Sequence, residues 1–204
     1  MALSRPRTAD EYRAVLESAV EEYERLSRLI EAMLFLARAD DPKAAIDRRW
    51  VELTRLLECS RNYFEMLAEE NGVALRISQQ GPEPARQQVW ADGALFVRAL
   101  GNLISNALRY APRGSVVVVS TQHLEPGGSV LLEVSNDGPA IAPEHQQRVF
   151  ERSFRVDGSR AGSATNAGLG LAIVKSIMDL HGGRVGVHSE PGTRTVFSLY
   201  YPGA

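Results

Sequence analysis

Between Thr8 and Ala39 the apolar residues Tyr12, Leu16, Ala19, Tyr23, Leu26, Ile30, Met33 and Ala37 alternate spacings of four and three. That is a heptad seam sustained over about four heptads, and it predicts one long helix. Val15, Leu29, Leu34 and Leu36 widen the stripe beyond a two-stranded seam, towards a bundle. A single helix cannot bury such a face alone. The face therefore packs either on its own domain or, the expectation here, on another helix or chain. The start is marked by TADE, Thr8 to Glu11, a capping box in which the Thr hydroxyl and Glu11 serve orphan amides reciprocally. Pro6 upstream and Asp41-Pro42 downstream bracket the helix.

From Arg49 the texture changes. WVEL opens a short strand, Thr54 to Glu70 has a helical pattern ending at Asn71-Gly72, and Val73 to Ser78 alternates as a strand. GPEPA is a loop, Asp92 to Tyr110 a helix, and Pro112-Arg113-Gly114 a turn. VVVVS and SVLLEVS flank Pro126-Gly127-Gly128 as an antiparallel hairpin. Pro143 to Phe150 forms a short helix. Val156 to Ala167, rich in Gly, Ser, Asp and Thr, has almost no apolar anchor and is expected to be mobile. Gly170 to His181 is a helix stopped by Gly182-Gly183, and the strands Arg184 to Ser189 and Arg194 to Tyr200 follow. Strands and three substantial helices in this order predict an α+β fold, a two-layer α/β sandwich with helices on one face of a mixed sheet. The long helix (1–45) precedes it and the mixed domain occupies 46–204.

A formal net charge of −2 argues against a nucleic-acid partner or a broad membrane-surface partner, either of which would want a clustered basic face. No apolar run approaches the roughly 20 residues needed to span a bilayer. The one cysteine, Cys59, lies in a helical pattern and is expected to be a small buried hydrophobe, which suits a reducing compartment.

Four stretches carry the chemistry. In NLISNALRY the residues Asn102 and Asn106 stand one turn apart on the same side of an otherwise apolar helix. A buried amide with no partner costs about 1–3 kcal/mol, so stacked amides point to a ligand unless both bond neighbouring backbone or face solvent. SNDGPAI, Ser135 to Ile141, follows a strand; a carboxylate or amide before a glycine there can read the edge of a flat heterocycle, although Asn-Asp-Gly-Pro is also ordinary turn chemistry. AGLGLAIVK, Ala167 to Lys175, opens a helix with glycines, where free amides and the helix dipole favour phosphate. It fits neither GxxxxGK[ST] nor GxGxxG after a strand. FERSF, Phe150 to Phe154, offers two aromatics beside the segment expected to move.

Taken in this order, NLISNALRY, NDGPA, FERSFR and GLGLAIVKSIMDLHGG resemble the ATP-binding domain of sensor histidine kinases, the fold shared with gyrase-type ATPases. The likeness covers about Trp50 to Pro202. The preceding LSRPRTADEY and MLFLARADD resemble the second helix of the kinase dimerisation domain, particularly in the heavy-metal-sensing branch. The resemblance implies ATP and Mg²⁺ as cofactors. It implies that Asn106 ligates Mg²⁺, that Asn102 supports the phosphates or the metal shell, and that Arg109 and Tyr110 lie near the phosphates. Asn136, Asp137, Gly138 and Ile141 would surround the base, with either Asn136 or Asp137 reading it. Phe150, Phe154 and Arg155 would shape the base of a lid, and Gly168, Leu169, Gly170 and Leu171 would receive the phosphates at a helix start.

The departures from the family pattern are specific. Where Asp-x-Gly-x-Gly is usual, this chain has Asn136, Gly138 and Ala140, and a neutral acceptor makes a weaker bond than an ionised one. The usual lid glycine is Asn166, which tolerates positive φ. The phosphoacceptor histidine, followed by an acid and later a proline, has no counterpart. His123, His145, His181 and His188 lack that setting and are expected to be structural or solvent-facing. The resemblance thus implies a cytoplasmic kinase part whose acceptor lies on an absent first helix, with a membrane link only through absent upstream segments. Its partners would be a second copy, paired through the N-terminal helix, and a response regulator. A degenerate docking or dimerisation module is the alternative, motivated by Asn136 and Ala140. A gyrase-type ATPase would need a Glu near the metal-binding Asn, and Leu100 to Ser105 contains no acid.

Overall fold

The computed structural model describes residues 8–41, 44–80, 88–124, 128–154 and 168–204. The loop expected at 81–85, the hairpin centre at 126–127, Arg155 and the segment 156–167 lie outside them. The elements are α1 (Ala9–Ala39), β1 (Arg49–Glu52), α2 (Leu53–Glu70), β2 (Ala74–Gln80), β3 (Gln88–Ala91), α3 (Gly93–Tyr110), β4 (Val116–Leu124), β5 (Ser129–Asn136), α4 (Pro143–Gln146), a 3₁₀ turn (Arg148–Phe150), α5 (Gly170–His181), β6 (Arg184–His188) and β7 (Thr195–Tyr201).

Five strands form a mixed sheet in the order β2-β4-β5-β7-β6. Only β2 and β4 run parallel, because the chain between them crosses over through β3 and α3. The neighbours β4–β5, β5–β7 and β6–β7 are antiparallel. Strict alternation gives each central strand one inward row: Val117, Val119 and Thr121 on β4, then Val130, Leu132 and Val134 on β5, with Phe197, Leu199 and Tyr201 on β7. Against this face lie α2, α3 and α5, giving the expected two-layer sandwich. The short strand β3 was not foreseen in the sequence. It pairs antiparallel with β1 as a separate ribbon, Trp50 opposite Trp90, with the two rings 5.5 Å apart. The expected helix Pro143 to Phe150 is instead two short pieces divided at Gln147.

Sequence signals at the helix ends work as expected. Both hydrogen bonds of the α1 capping box form, Thr8 N–H to Glu11 Oε2 at 2.8 Å and Glu11 N–H to Thr8 Oγ1 at 3.2 Å. On α3, Asp92 caps by accepting from the amides of Ala94 and Leu95. At the other end of α5, Gly182 takes φ 69°, the left-handed stop a side chain would resist. Next to it Gly183 is required for a different reason: a Cβ there would lie 2.4 Å from the Tyr200 carbonyl oxygen.

The α1 helix has two faces. Ala32 and Leu36 are buried, with Leu29 and Phe35 packed beside them, and Arg98 of α3 stacks its guanidinium 4.2 Å over the Phe35 ring. Asp40, at the helix end, accepts a 2.5 Å hydrogen bond from Arg152, which holds its carboxyl below the usual carboxylate range. The heptad residues Tyr12, Leu16, Tyr23, Leu26, Ile30 and Met33 stay exposed. The expectation for Cys59 is corrected: its thiol is exposed. On α2 the inward stripe is Leu53, Leu56, Leu57, Ser60, Phe64 and Ala68. Ser60 takes the inward position because its hydroxyl can bond the Leu56 carbonyl at 3.0 Å, and Cys59, one residue earlier, is turned out.

Buried His181 joins three segments. Its Nε2 accepts from the Asp92 amide at 3.0 Å, so Nδ1 carries the proton and donates to the Ile177 carbonyl at 2.7 Å. Arg48 donates to the His181 carbonyl, and Asp92 Oδ2 accepts from the Asp47 amide, so residues 47–48 are held at the same place. This is the structural role expected of this histidine. Burial holds the imidazole below the ordinary histidine range. The unfolded chain binds the proton near pH 6.5, the folded one only at lower pH, so this contribution is complete above about pH 6.5 and is lost as the pH falls below it. Urea midpoints measured at about pH 7.5 and about pH 5.5 should therefore fall further for the wild type than for His181→Gln; equal shifts would remove His181 as the cause.

Candidate functional site

The site is built on one face of α3. Phe96, Ala99, Leu100, Leu103, Ile104, Ala107 and Leu108 are each at most 3% exposed, which fixes the rotation of the helix between the sheet and its neighbours. With that rotation fixed, positions 102, 106 and 110 form a single stripe along the remaining side. At its upstream end Asn102 donates from Nδ2 to the Arg98 carbonyl at 2.8 Å. Its Oδ1 faces the first residue of α5, where a Cβ on Gly170 would sit 3.0 Å away. At the downstream end, Tyr110 meets the loop after β5: a Cβ on Gly138 would lie 2.8 Å from the Tyr110 carbonyl oxygen. Asn106 stands midway, partly exposed, and among the described residues no side-chain hydrogen bond is made by its amide.

The glycine-opened helix and the aromatic turn also meet. Gly168 has φ 70°, and a Cβ there would lie 3.1 Å from the Phe154 carbonyl oxygen. Ser153 adopts φ 61°, so the backbone turns tightly on both sides of this contact. Phe150 is buried and packs edge-on to Phe197 at 6.1 Å. Phe154 is capped by the Arg148 guanidinium, 4.4 Å above its ring. Leu169 is buried, and Leu171 packs against the core. The first turn of α5 carries no side-chain cap, which leaves its amides for another acceptor.

Strand parity sorts the residues after β5. Asn136 continues the inward row and is 2% exposed, opposite Thr195 of β7. Asp137 points the other way, where Arg194 lies 3.4 Å from its carboxylate. The same guanidinium donates to the carbonyls of Val116 and Ser135, so it anchors Asp137 to the strand ends. A recess of about 480 Å³ is lined by Asp137, Gly138, Pro139, Ala140 and the turn Pro191 to Arg194. Neither Asn102 nor Asn106 lines it.

Sequence reasoning missed Arg194 and the polar clamp beneath the loop. Ile141 N–H donates to Ser189 Oγ at 2.9 Å, Ser189 and Thr195 share a hydrogen bond of 2.7 Å, and Gln146 donates to the carbonyls of Ile141 and Ser189 at 3.0 and 2.6 Å. The available signal was weak: the period-2 pattern of the last strand puts Thr195 inside, which is unusual for a polar residue.

Of the residues singled out in the sequence, the structure brings together Asn102 with Gly170, Tyr110 with Gly138, Asn136 with Gly138, and Phe154 with Gly168. It turns Asp137 away, towards Arg194. Arg155 lies outside the described residues. Arg109 places its guanidinium 5.6 Å from the Tyr110 ring. Among the described residues no three His, Cys, Asp or Glu side chains gather as a metal site. An ion held mainly by phosphate and water needs only one protein oxygen, so the Asn106 amide suits Mg²⁺.

These features define a two-layer α/β sandwich with a polar stripe along one helix. Residues 91–204 match the model of the histidine kinase-, DNA gyrase B- and HSP90-like ATPase family. The chain belongs to that family. It is 48% identical over 202 residues to the sensor protein IrlS of Burkholderia pseudomallei, covering 99% of this chain and 42% of that protein. To the sensor histidine kinase CusS of Escherichia coli K12 it is 42% identical over 200 residues, covering 98% and 40% respectively. The structure of full-length ShkA in complex with AMPPNP superposes with a TM-score of 0.83 at 28% identity, covering all of this chain and 41% of that one. The resemblance to sensor histidine kinases read from the four motifs is borne out, and so is the likeness to their heavy-metal-sensing branch. The chain spans about two fifths of the length of these relatives.

Gly138 gives a direct test of the packing at the loop. A Cβ there would lie 2.5 Å from Asn136 Nδ2 as well as against Tyr110, so Gly138→Ala should lower the unfolding free energy by about 1–3 kcal/mol. Gly186→Ala, where nothing lies within 4 Å, should change it by about 0.5 kcal/mol or less. Chemical denaturation of both variants measures the difference.

Proposed function

We propose that this chain is the ATP-binding kinase part of a two-component sensor histidine kinase of the heavy-metal-sensing branch. Residues 1–45 supply the second helix of the dimerisation domain and residues 46–204 the catalytic domain. The observation that carries this reading is the single α3 stripe: Asn102 touches the glycine start of α5, Tyr110 touches the loop of Asn136 and Gly138, and the unpartnered amide of Asn106 lies between.

In this reading the base enters beside Asn136 and Gly138. The triphosphate runs along α3 towards the uncapped amides of α5, where the helix dipole favours negative charge. Asn106 would hold Mg²⁺ through its amide oxygen, and the ion would supply positive charge against the phosphates. Asn102, braced through Nδ2 on Arg98, keeps its oxygen at the phosphate end. Arg109 supplies positive charge near Tyr110, and Phe150 and Phe154 stand beside the glycine start of α5 at the phosphate end. Phosphoryl transfer of this type is mostly positioning and charge stabilisation, which suits a site with many amides and few acids.

The acceptor is a histidine on the first helix of the dimerisation domain. None of His123, His145, His181 and His188 lies on α1; they sit on β4, α4, α5 and β6. The phosphoryl group then passes to an aspartate of a response regulator. The exposed heptad face of α1 pairs two copies in a four-helix arrangement, since such a run of exposed apolar side chains marks an interaction surface. The kinase part works in the cytoplasm, linked to the membrane through upstream segments; no helix among the described residues is long and apolar enough to cross a membrane. A docking module without nucleotide is the competing reading, favoured by the neutral Asn136.

Titration calorimetry with ATP and Mg²⁺ separates the two. The chain should bind the nucleotide, and Asn106→Ala should weaken the Mg²⁺-dependent affinity at least about tenfold, about 1.4 kcal/mol. No binding at millimolar ATP, or no effect of Asn106→Ala, would favour the docking module. Incubation with radiolabelled ATP should leave no phosphohistidine on this chain alone.

A further inference from the structure

We propose that Asn136 makes the purine site indifferent to the substituent at position 6 of the ring, so that 6-oxopurine nucleoside triphosphates bind alongside ATP. This rests on the reading above, in which the base lies at the end of β5.

The geometry begins with burial. Asn136 is 2% exposed on the inward face of β5, and among the described residues nothing hydrogen-bonds to its side chain. Opposite it, the Thr195 hydroxyl is already bonded to Ser189. Gly138 leaves the amide clear, since any Cβ there would lie 2.5 Å from Nδ2. Both ends of this amide still reach the surface and are open to a ligand able to hydrogen-bond them. The neighbouring Asp137 is exposed and its carboxylate lies 3.4 Å from the Arg194 guanidinium, which partly neutralises it, so the base is placed against Asn136. The group that meets the base is therefore neutral and has two ends.

A carboxamide carries an acceptor and a donor side by side, whereas a carboxylate only accepts. Adenine offers an N6–H donor beside the N1 acceptor. A 6-oxopurine offers the reverse, an O6 acceptor beside an N1–H donor. Half a turn about the terminal torsion of Asn136 converts one match into the other, and that torsion is broad and roughly two-fold in asparagine. No protein partner fixes it, so both edges can be met by the same side chain. A carboxylate offers two acceptors, so against either ring it meets one donor and opposes one acceptor: N6–H and N1 in adenine, N1–H and O6 in a 6-oxopurine.

Inosine triphosphate differs from ATP only at this edge and is the probe. Calorimetry with each nucleotide and Mg²⁺ should give dissociation constants within about tenfold of each other for the wild type. A site that accepts only one edge would reject the other far more strongly, by as much as about 10⁴-fold. Asn136→Asp, which opposes one acceptor of each ring, should weaken both nucleotides by at least about tenfold and leave their ratio nearly unchanged. Asn136→Ala, which removes both ends, should weaken the two nucleotides equally and serves if the aspartate variant does not fold, as judged by circular dichroism. Discrimination of about 100-fold or more by the wild type overturns the proposal. So does wild-type affinity for both nucleotides in Asn136→Asp, or loss of ATP binding alone in Asn136→Ala. If ATP binds and inosine triphosphate does not, this inference fails and the proposed function stands; if neither binds, both fail.

Discussion

The fixed rotation of α3 is the constraint on which the rest of the molecule depends. Seven of its side chains are sealed between the sheet, α2 and α5, so any turn about its axis would expose apolar surface worth roughly 25 cal/mol per Å². That seal decides where the remaining side goes, and the remaining side carries Asn102, Asn106 and Tyr110. The polar stripe is thus held by hydrophobic packing on its back, which is a more rigid support than a loop provides. Both glycine-containing segments approach this stripe because they alone lack the side chains that would keep them off.

Strand parity does the equivalent work at the end of β5. Asn136 and Asp137 are adjacent, and a shift of one residue in the register of β5 would exchange them. The register is pinned by the inward row of Val130, Leu132 and Val134, all fully buried. Arg194 then binds the outward acid, so the ion pair and the buried amide belong to opposite faces of one strand end. A neutral, unpaired amide inside and a neutralised carboxylate outside are two results of the same alternation.

The long helix joins this body at a few points, and those points lie close to the site. Phe35 meets Arg98, whose carbonyl braces Asn102, and Asp40 meets Arg152, two residues before Phe154. Residues 47–48 are held by Asp92 and His181, at the start of α3 and the end of α5. The elements that position the stripe are therefore the ones that receive the helix and its connection. An exposed ion pair such as Asp40–Arg152 contributes about 0–1 kcal/mol, so the buried Ala32 and Leu36 hold α1 more firmly than charge does.

The local part of this protein was legible in its residues. Periodicity and caps located α1, α2, α3 and α5; Gly72 and Gly182 marked where two of them stop; and the order of strands and helices gave the layer arrangement. The motif residues Asn102, Asn106, Gly138 and Gly170 were also visible, because spacing along a helix or beside a glycine is a local property. What the chain order could not decide is which distant groups face each other. Strand β3 is short and draws its order from pairing with β1, a contact about 40 residues away. Cys59 is as apolar as its inward neighbours, yet the row Leu56, Ser60, Phe64 and Ala68 turns it out, and the Ser60 hydroxyl is satisfied inside by the Leu56 carbonyl. That Asn136 is buried and Asp137 exposed needed the register against β7, and the partner of Asp137 is Arg194, 57 positions later. Period and propensity act over one or two turns of chain, whereas burial and pairing are settled only when the whole sheet is assembled.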